Sequence, residues 1–500
     1  MNNRSILLSG IFCACNFLNS YSQISQRAES GETGYFSLFE IVEIAKNQSP
    51  MSLQAETFKE NRYWQYRTYR SNYRPLLYMS GQFPDFSRTV DEVRQPDGTY
   101  DYLEVWQNTS QLNLFLSQSI GLTGTEVFLQ SSIYRFDNLD PNNKYYNYRG
   151  NPLVVGLRQP IFTYNELKWD SRIEPLRYEE SKRQYVEQME QISIIAARRF
   201  FDLLSAQITL EISSINMANN DTIFKIAEGR YNLGQIGEDE LLQLELTVMN
   251  SRQNVAQSQV DLETSTLRLK TFAGLIGYDD VILELPSELP EFDVDENTAI
   301  TEARRNRMDA IGFTRRELEA DRDMAQAKGS TGLNADLFAT FGLSNTADEL
   351  PDIYVDPLDN QTVRLGFQVP IMDWGRQKSR VKTAEANKKY VEYTVAQDII
   401  NFDEEIFTQV KRFQMLRERV KISERADIVG QKRYNIAKNR YLIGKTGITD
   451  LNIALQEKDQ AKASYIASLG DFWNSYYTLR YLTLYDFEKN EVLYLTDDEL

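Results

Sequence analysis

RYNLGQIGEDELL, Arg230–Leu242, is written a second time in altered form as RYLIGKTGITDLN, Arg440–Asn452. Each phrase interrupts a long helical text with two glycines. Gly234 and Gly444 lie 210 positions apart (444 minus 234), and the same offset pairs Arg230 with Arg440, Tyr231 with Tyr441, Gly237 with Gly447 and Leu241 with Leu451. The match reaches back without a gap to VGLRQPIF and LGFQVPIM, setting Gly156 on Gly366, Pro160 on Pro370 and Ile161 on Ile371. An ungapped repeat of this extent makes the chain two versions of one structural unit.

Both halves read in the same order. Apolar spacing such as Leu38, Ile41, Ile44 and Ala45 predicts an opening helix over 37–74, and another over 296–328. Strands follow. Val363, Leu365, Phe367, Val369 and Ile371 alternate with Thr362, Arg364, Gly366 and Gln368, the pattern of a strand with lipid on one face and water on the other. Val155, Leu157 and Ile161 repeat it less cleanly, with Gln159 on the apolar side. A half-buried strand of a soluble sheet gives the same alternation, so both readings stand. Residues 75–120 have no counterpart in the second half; with QLNLFLSQSI and a turn at Pro96-Asp97-Gly98 they read as one or two additional strands and a surface loop.

Very long helices are expected next, over 166–232 and 376–442, each about 100 Å at about 1.5 Å per residue. The glycine phrase turns the chain into a return helix, over 239–272 and 449–484. The return helices carry heptad seams: Leu241, Leu244, Val248, Ser251, Val255, Ser258, Leu262, Ser265 and Leu269, matched 210 residues on by Leu451 through Leu479. Small residues at alternate seam positions favour close packing of several helices. The outgoing helices answer with Ile192, Ala196 and Leu203, matched by Phe402, Ile406 and Phe413.

The 500-residue chain has no histidine, and its only cysteines are Cys13 and Cys15. Histidine acid–base chemistry, cysteine nucleophiles and nearly all zinc, copper or haem sites are thereby excluded, and neither cofactor nor metal is expected. The opening 1–22 reads as an export signal, an apolar stretch too short for a membrane span followed by Ser20-Tyr21-Ser22. A net charge of -17 opposes nucleic-acid binding. No later apolar run is long enough for a transmembrane helix, so any membrane insertion must use a closed barrel.

The two tip phrases, each with an acid and a leucine six and seven positions after the first glycine (Glu240-Leu241 and Asp450-Leu451), resemble the TolC family of outer-membrane efflux proteins. QPIF, VPIMDWGRQKSRV and the NRMD of ITEARRNRMDAIGF support the resemblance, which covers nearly the whole chain after 1–22. It implies a mainly helical chain with a membrane β part: a homotrimer in which each protomer adds four strands to a twelve-stranded transmembrane barrel and long antiparallel hairpins to a periplasmic helical tunnel. The implied role is a passive duct through outer-membrane lipid, with a periplasmic adaptor and, beyond it, an inner-membrane pump of RND or ABC type. The halves are then 23–272 and 298–484, joined by a proline-punctuated linker at 273–297 and followed by a peripheral acidic tail at 485–500.

The resemblance assigns Leu233, Gly234, Gln235, Ile443, Gly444 and Lys445 to adaptor docking. Glu240 and Asp450 become rings of acids at a narrow entrance, braced by Tyr441 and Arg440. The same acids suit the first turn of a return helix with Asp239 or Thr449 as N-cap, so capping and gating both remain open. Two positions depart from the family pattern: Ile453 stands where a second acid is usual and Thr446 where a basic residue is common, so the family's double acid gate does not carry over. A periplasmic adaptor, which also uses coiled-coil hairpins, is the alternative; its single hairpin fits a doubled phrase poorly.

Overall fold

The computed structural model describes residues 32–493 except 142, 276 and 287. The expected export signal, 1–22, and the end of the tail, 494–500, lie outside the described residues. The chain divides into two compact units. Of the described residues, 32–60, 181–310 and 400–493 form one, and 61–180 with 311–399 form the other.

Each opening helix is broken once, where the sequence predicts continuity. Ser37 caps α1 (Leu38–Gln48) through a reciprocal bond with Glu40. At Ser49 the backbone turns extended, and α2 (Pro50–Ser71) begins on a proline, whose missing N–H needs no acceptor at a first helical position. Residues before proline avoid helical geometry, so Pro50 dictates the break. In the second half α5 (Glu296–Asn306), capped by Asp295, ends at an extended Arg307 before α6 (Met308–Gly329). No proline is present there. The free N–H of Met308 instead donates to the buried carboxylate of Glu187 at 3.0 Å.

The long helices α3 (Glu166–Asn232) and α7 (Arg376–Leu442) have 67 residues each, and the return helices α4 (Glu238–Ala273) and α8 (Ile448–Thr483) have 36 each. The expected seams are the packed faces: Leu244, Val248, Ser251, Ser258 and Leu269 are buried in α4, and Leu451, Ala454, Lys458, Ser468, Phe472, Ser475 and Leu479 in α8. Between the repeats, β6 (Tyr278–Leu283) pairs in parallel with β1 (Glu32–Phe36), giving the linker its short structure. The expectation of a peripheral tail is corrected for 485–493. Those residues form a tight antiparallel turn, β9 (Tyr485–Asp486) on β10 (Glu491–Val492), with Leu484 and Asp486 buried.

An ionic chain fixes this turn to the helices. Glu190, 3% exposed, takes Lys46 Nζ at 2.6 Å and Arg480 Nε at 3.0 Å, and Arg480 also pairs with Asp486. Burial works against the Glu190 charge, yet Lys46 and Arg480 hold its pKa below the usual carboxylate value. One turn earlier, Glu187 shows the opposite balance: burial raises its pKa although Arg307 lies 3.6 Å away.

The second unit holds one antiparallel sheet, ordered β2 (Leu76–Arg94), β3 (Tyr100–Ile120), β4 (Thr125–Asn138), β5 (Tyr145–Ile161), β7 (Asn334–Ala347), β8 (Leu358–Gln368). β4 and β5 correspond to β7 and β8 at the repeat offset, and β2–β3 are the segment without a counterpart. The resemblance implied four strands per chain; the sheet has six, because β3 pairs with β4 continuously from Gln107↔Asn138 to Ile120↔Thr125.

One face of the sheet is an apolar band. Ladder partners share a face, so Val363, Ala339, Leu157 and Val127 stand on one side, as do Phe341, Val155, Leu129, Leu116 and Leu77. The other face carries Arg364, Thr362, Thr340, Gln130, Ser132, Asn113 and Ser80, with Arg158 and Asp336 paired at 3.3 Å. Gln159, out of place in the sequence pattern, donates to the Thr123 carbonyl at 3.2 Å and contacts Thr125, just beyond the band.

Candidate functional site: the paired hairpin tips

The two tips have the same backbone. Gly234 and Gly444 have φ of 71° and 74°, the left-handed region that costs any residue with a Cβ about 1–2 kcal/mol. Gln235 N donates to Arg230 O at 2.9 Å and Gly234 N to Tyr231 O at 2.8 Å; Lys445 and Gly444 repeat both bonds onto Arg440 and Tyr441, each at 2.9 Å. These are Schellman closures, which satisfy carbonyls left free at a helix end. Each return helix then starts behind a glycine cap, Gly237 or Gly447, with no side-chain cap bond. Asp239 and Thr449 therefore lie inside the first turns rather than at the N-cap, and Glu240 and Asp450 occupy its third helical position.

Side chains break the symmetry. Ile223, Ala227, Leu244, Tyr434, Tyr441, Ile448 and Leu451 bury themselves where the two hairpins of one chain meet. Each fully buried large apolar side chain there contributes about 1.5–3 kcal/mol. Tyr441 is 2% exposed, while its repeat mate Tyr231 is 39% exposed. The Tyr441 hydroxyl donates to Glu240 Oε1 at 3.4 Å, across hairpins. Burial and then the Glu240 charge push the Tyr441 pKa up, so it stays a neutral donor at physiological pH.

Arg440, expected to brace the acids, is exposed, and the arginine that reaches the other hairpin is Arg230. Its Nη2 donates to Leu442 O at 2.7 Å, and its guanidinium lies 5.7 Å from the Tyr441 ring centre. The signal for Arg230 was its repeat relation to Arg440; which arginine faces its own partner hairpin is not written in the phrase. Asp450 is held locally, accepting from Thr446 Oγ1 at 2.6 Å. Thr446, conspicuous in the sequence only as a departure from the family pattern, is the partner that turns this acid into its own loop. The residues that the resemblance assigns to docking lie open: Leu233 and Ile443 are 74% and 65% exposed, and a Cβ at Gly234 or Gly444 would meet nothing within 4 Å.

Among the described residues no cluster of three or more His, Cys, Asp or Glu could hold a metal, and no helix is long and apolar enough to cross a membrane. The outer membrane efflux protein family model matches residues 300–483. Among solved structures, the fold is similar to the CmeC outer membrane channel of Campylobacter jejuni, with 16% identity, TM-score 0.64, and 93% and 90% of the two chains covered. It is also similar to the outer membrane protein VceC of Vibrio cholerae, with 14% identity, TM-score 0.60, and 89% and 95% covered. A third is the open-state MtrE outer membrane channel of Neisseria gonorrhoeae, with 14% identity, TM-score 0.59, and 89% and 88% covered. No curated protein matches. The family match spans most of the second repeat, and the chain shares the fold of these outer membrane channels.

Proposed function

We propose that this protein is a passive exit duct of the Gram-negative outer membrane. Residues 1–22 direct its export, and three copies assemble so that their sheets close into a transmembrane barrel and their hairpins into a periplasmic tunnel. The observation that carries the reading is the sheet: an apolar band on one face, an opposite face of polar side chains crossed by one aromatic row, and two open edges, in a chain whose second repeat matches the efflux family model. In lipid an open edge leaves backbone groups unpaired at several kcal/mol each, so such a sheet is stable only when closed. The apolar band and doubled hairpin favour a duct over an adaptor.

The tips supply the contacts. Leu233, Gly234, Gln235, Ile443, Gly444 and Lys445 dock a periplasmic adaptor, with apolar Leu233 and Ile443 as its anchors. An inner-membrane pump of RND or ABC type supplies the energy. Copies of Glu240 and Asp450 line the entrance and favour cations. Tyr441 holds Glu240 across the hairpins and Arg230 ties its own hairpin to the Leu442 carbonyl, so the gate opens when the hairpins of one chain separate, while Asp450 stays tied to Thr446.

Membrane fractionation and mass measurement test the assembly. The expected result is detergent-dependent extraction from the outer membrane at three times the chain mass; recovery as a soluble periplasmic monomer overturns it. Leu233→Cys and Ile443→Cys carrying a photocrosslinker should capture an adaptor, and capture of the pump's membrane domain instead would refute the docking assignment.

A further inference from the structure

The family resemblance implies a twelve-stranded barrel, and the strand count of this chain does not fit it. We propose that β8 of one copy pairs antiparallel with β2 of the next, so that three copies close a barrel of eighteen strands. The inference rests on the trimer proposed above.

The additional hairpin β2–β3 continues the wall in three independent respects. Its hydrogen-bonded ladder to β4 is unbroken over the whole shared length. Its apolar side chains fall on the same face as the band of the other strands: Leu77 and Met79 on β2, Leu112, Leu114 and Leu116 on β3. On the opposite face an aromatic row crosses from the additional strands into the repeated ones, Tyr78 to Phe115 at 5.2 Å, Phe115 to Phe128 at 5.4 Å, and Phe128 to Phe338 at 6.0 Å. Phe128 reaches β7 across Gly156, where a Cβ would stand 2.3 Å from its ring.

The band also has the slope a tilted wall requires. Following the ladder from Leu365, the centre of the apolar run on β8, leads through Leu337 to Gln159, then, one residue past the last pair Glu126↔Arg158, to Thr125 and on to Ile120. The run on β3 is centred on Leu114, about six residues away after four strand steps. About 1.5 residues per step, with about 3.3 Å rise and 4.8 Å spacing, corresponds to a tilt near 45°, as in membrane barrels. A hairpin folded away from the wall would have no reason to keep this slope.

Closure follows from direction and edges. β2 and β8 run in opposite senses, since every pairing in the six-stranded sheet is antiparallel, so an edge-to-edge junction between copies is antiparallel too. Carrying the slope across it sets Met79 near Phe367 of the next copy, both on the apolar face. Direct pairing of β8 with β4 would require β3 to leave β4. The wider ring is about half again the circumference of a twelve-stranded one.

The test uses the full chain in outer membranes, with Phe367→Cys combined with either Met79→Cys or Leu129→Cys; the only native cysteines are Cys13 and Cys15. The expected result is intermolecular disulfides with Met79→Cys and none with Leu129→Cys; the reverse overturns the inference. Cryo-electron microscopy of the unmodified protein in detergent counts the strands directly, with eighteen supporting the proposal and twelve, or a hairpin outside the wall, refuting it. Mass separates the two levels: a trimer with twelve strands overturns the barrel alone, and a monomer overturns the assembly it rests on.

Discussion

At 230–242 and 440–452 the chain closes the same Schellman turn twice, yet Tyr441 is buried against the other hairpin while Tyr231 is 39% exposed. Backbone repetition follows from glycine at the left-handed position; side-chain asymmetry follows from each chain having only one interface between its own two hairpins. The helix breaks teach the same lesson. Pro50 ends the need for an acceptor in the first repeat, whereas Met308 requires Glu187 in the second. A repeat keeps its geometry where the backbone demands it and solves the remaining polar accounting with whatever neighbours the fold brings.

The largest test of that contrast concerns Glu190 and its repeat mate Ile400. Glu190→Ala strands Lys46 and Arg480 around an empty buried site and should cost about 3–5 kcal/mol, seen as a lowered Tm in detergent. Ile400 is 60% exposed, and Ile400→Ala should leave Tm nearly unchanged. Equal effects would mean the repeats are less different than their packing.

Next is the break in the second repeat. Glu187→Ala leaves the Met308 N–H without its acceptor and removes one carboxylate from beside the buried Arg307 guanidinium, which keeps Asp309 at 2.7 Å, and should cost about 1–3 kcal/mol. Met308→Pro imports the first repeat's solution and should reduce that cost when combined with Glu187→Ala. A double-mutant cycle reads the coupling; additive losses would show that Glu187 does not serve the Met308 N–H.

Acid should then separate Glu187 from Glu190, three residues apart on α3. The Glu190 pKa is lowered in the folded state, so its stabilisation is present above the ordinary carboxylate value and is lost as pH falls through the folded value. The Glu187 pKa is raised, so the folded state takes up that proton first and is favoured as pH falls through the raised value. Melting curves from neutral to about pH 4 should therefore show wild type gaining on Glu187→Gln and, at the acid end, losing its advantage over Glu190→Gln. Parallel curves would contradict the two opposed shifts.

Gly234→Ala and Gly444→Ala should each cost about 1–2 kcal/mol from the left-handed backbone alone, with Gly444→Ala also disturbing the buried Tyr441. The smallest stability effect, about 0.5–1.5 kcal/mol, belongs to Tyr441→Phe. Its informative readout is conductance in planar bilayers: Tyr441→Phe should raise it by freeing Glu240, and Tyr231→Phe should not. Equal conductance changes would remove the asymmetry from the gate.

Much of the fold was legible because its signals are local or periodic. Long hairpins are visible in seam spacing, their turns in doubled glycines, and the two-faced strands in the alternation around Val363 and Leu365. The helix break at Pro50 was also present in the sequence, as proline chemistry, but apolar periodicity ran across it; the break at Arg307 carried no local mark. Glu187 and Glu190 stayed hidden because a carboxylate on a long helix looks the same whether it faces water or Lys46, Arg307 and Arg480. At the tips, the repeat and the family resemblance singled out Glu240, Asp450 and Tyr441, while Arg230 and Thr446, whose contacts depend on the fold, were not singled out.

By itself the sequence determined the twofold internal repeat, the placement of the hairpin turns and the apolar alternation of the strands, since each depends on the chain's own covalent and periodic constraints. Only the tertiary structure decided which tyrosine is buried, which arginine reaches the other hairpin, and that residues 76–120 join β4 as two further strands of one sheet. Those outcomes depend on partners far apart along the chain, and contact at that range is set by how the elements pack rather than by any one segment's preference.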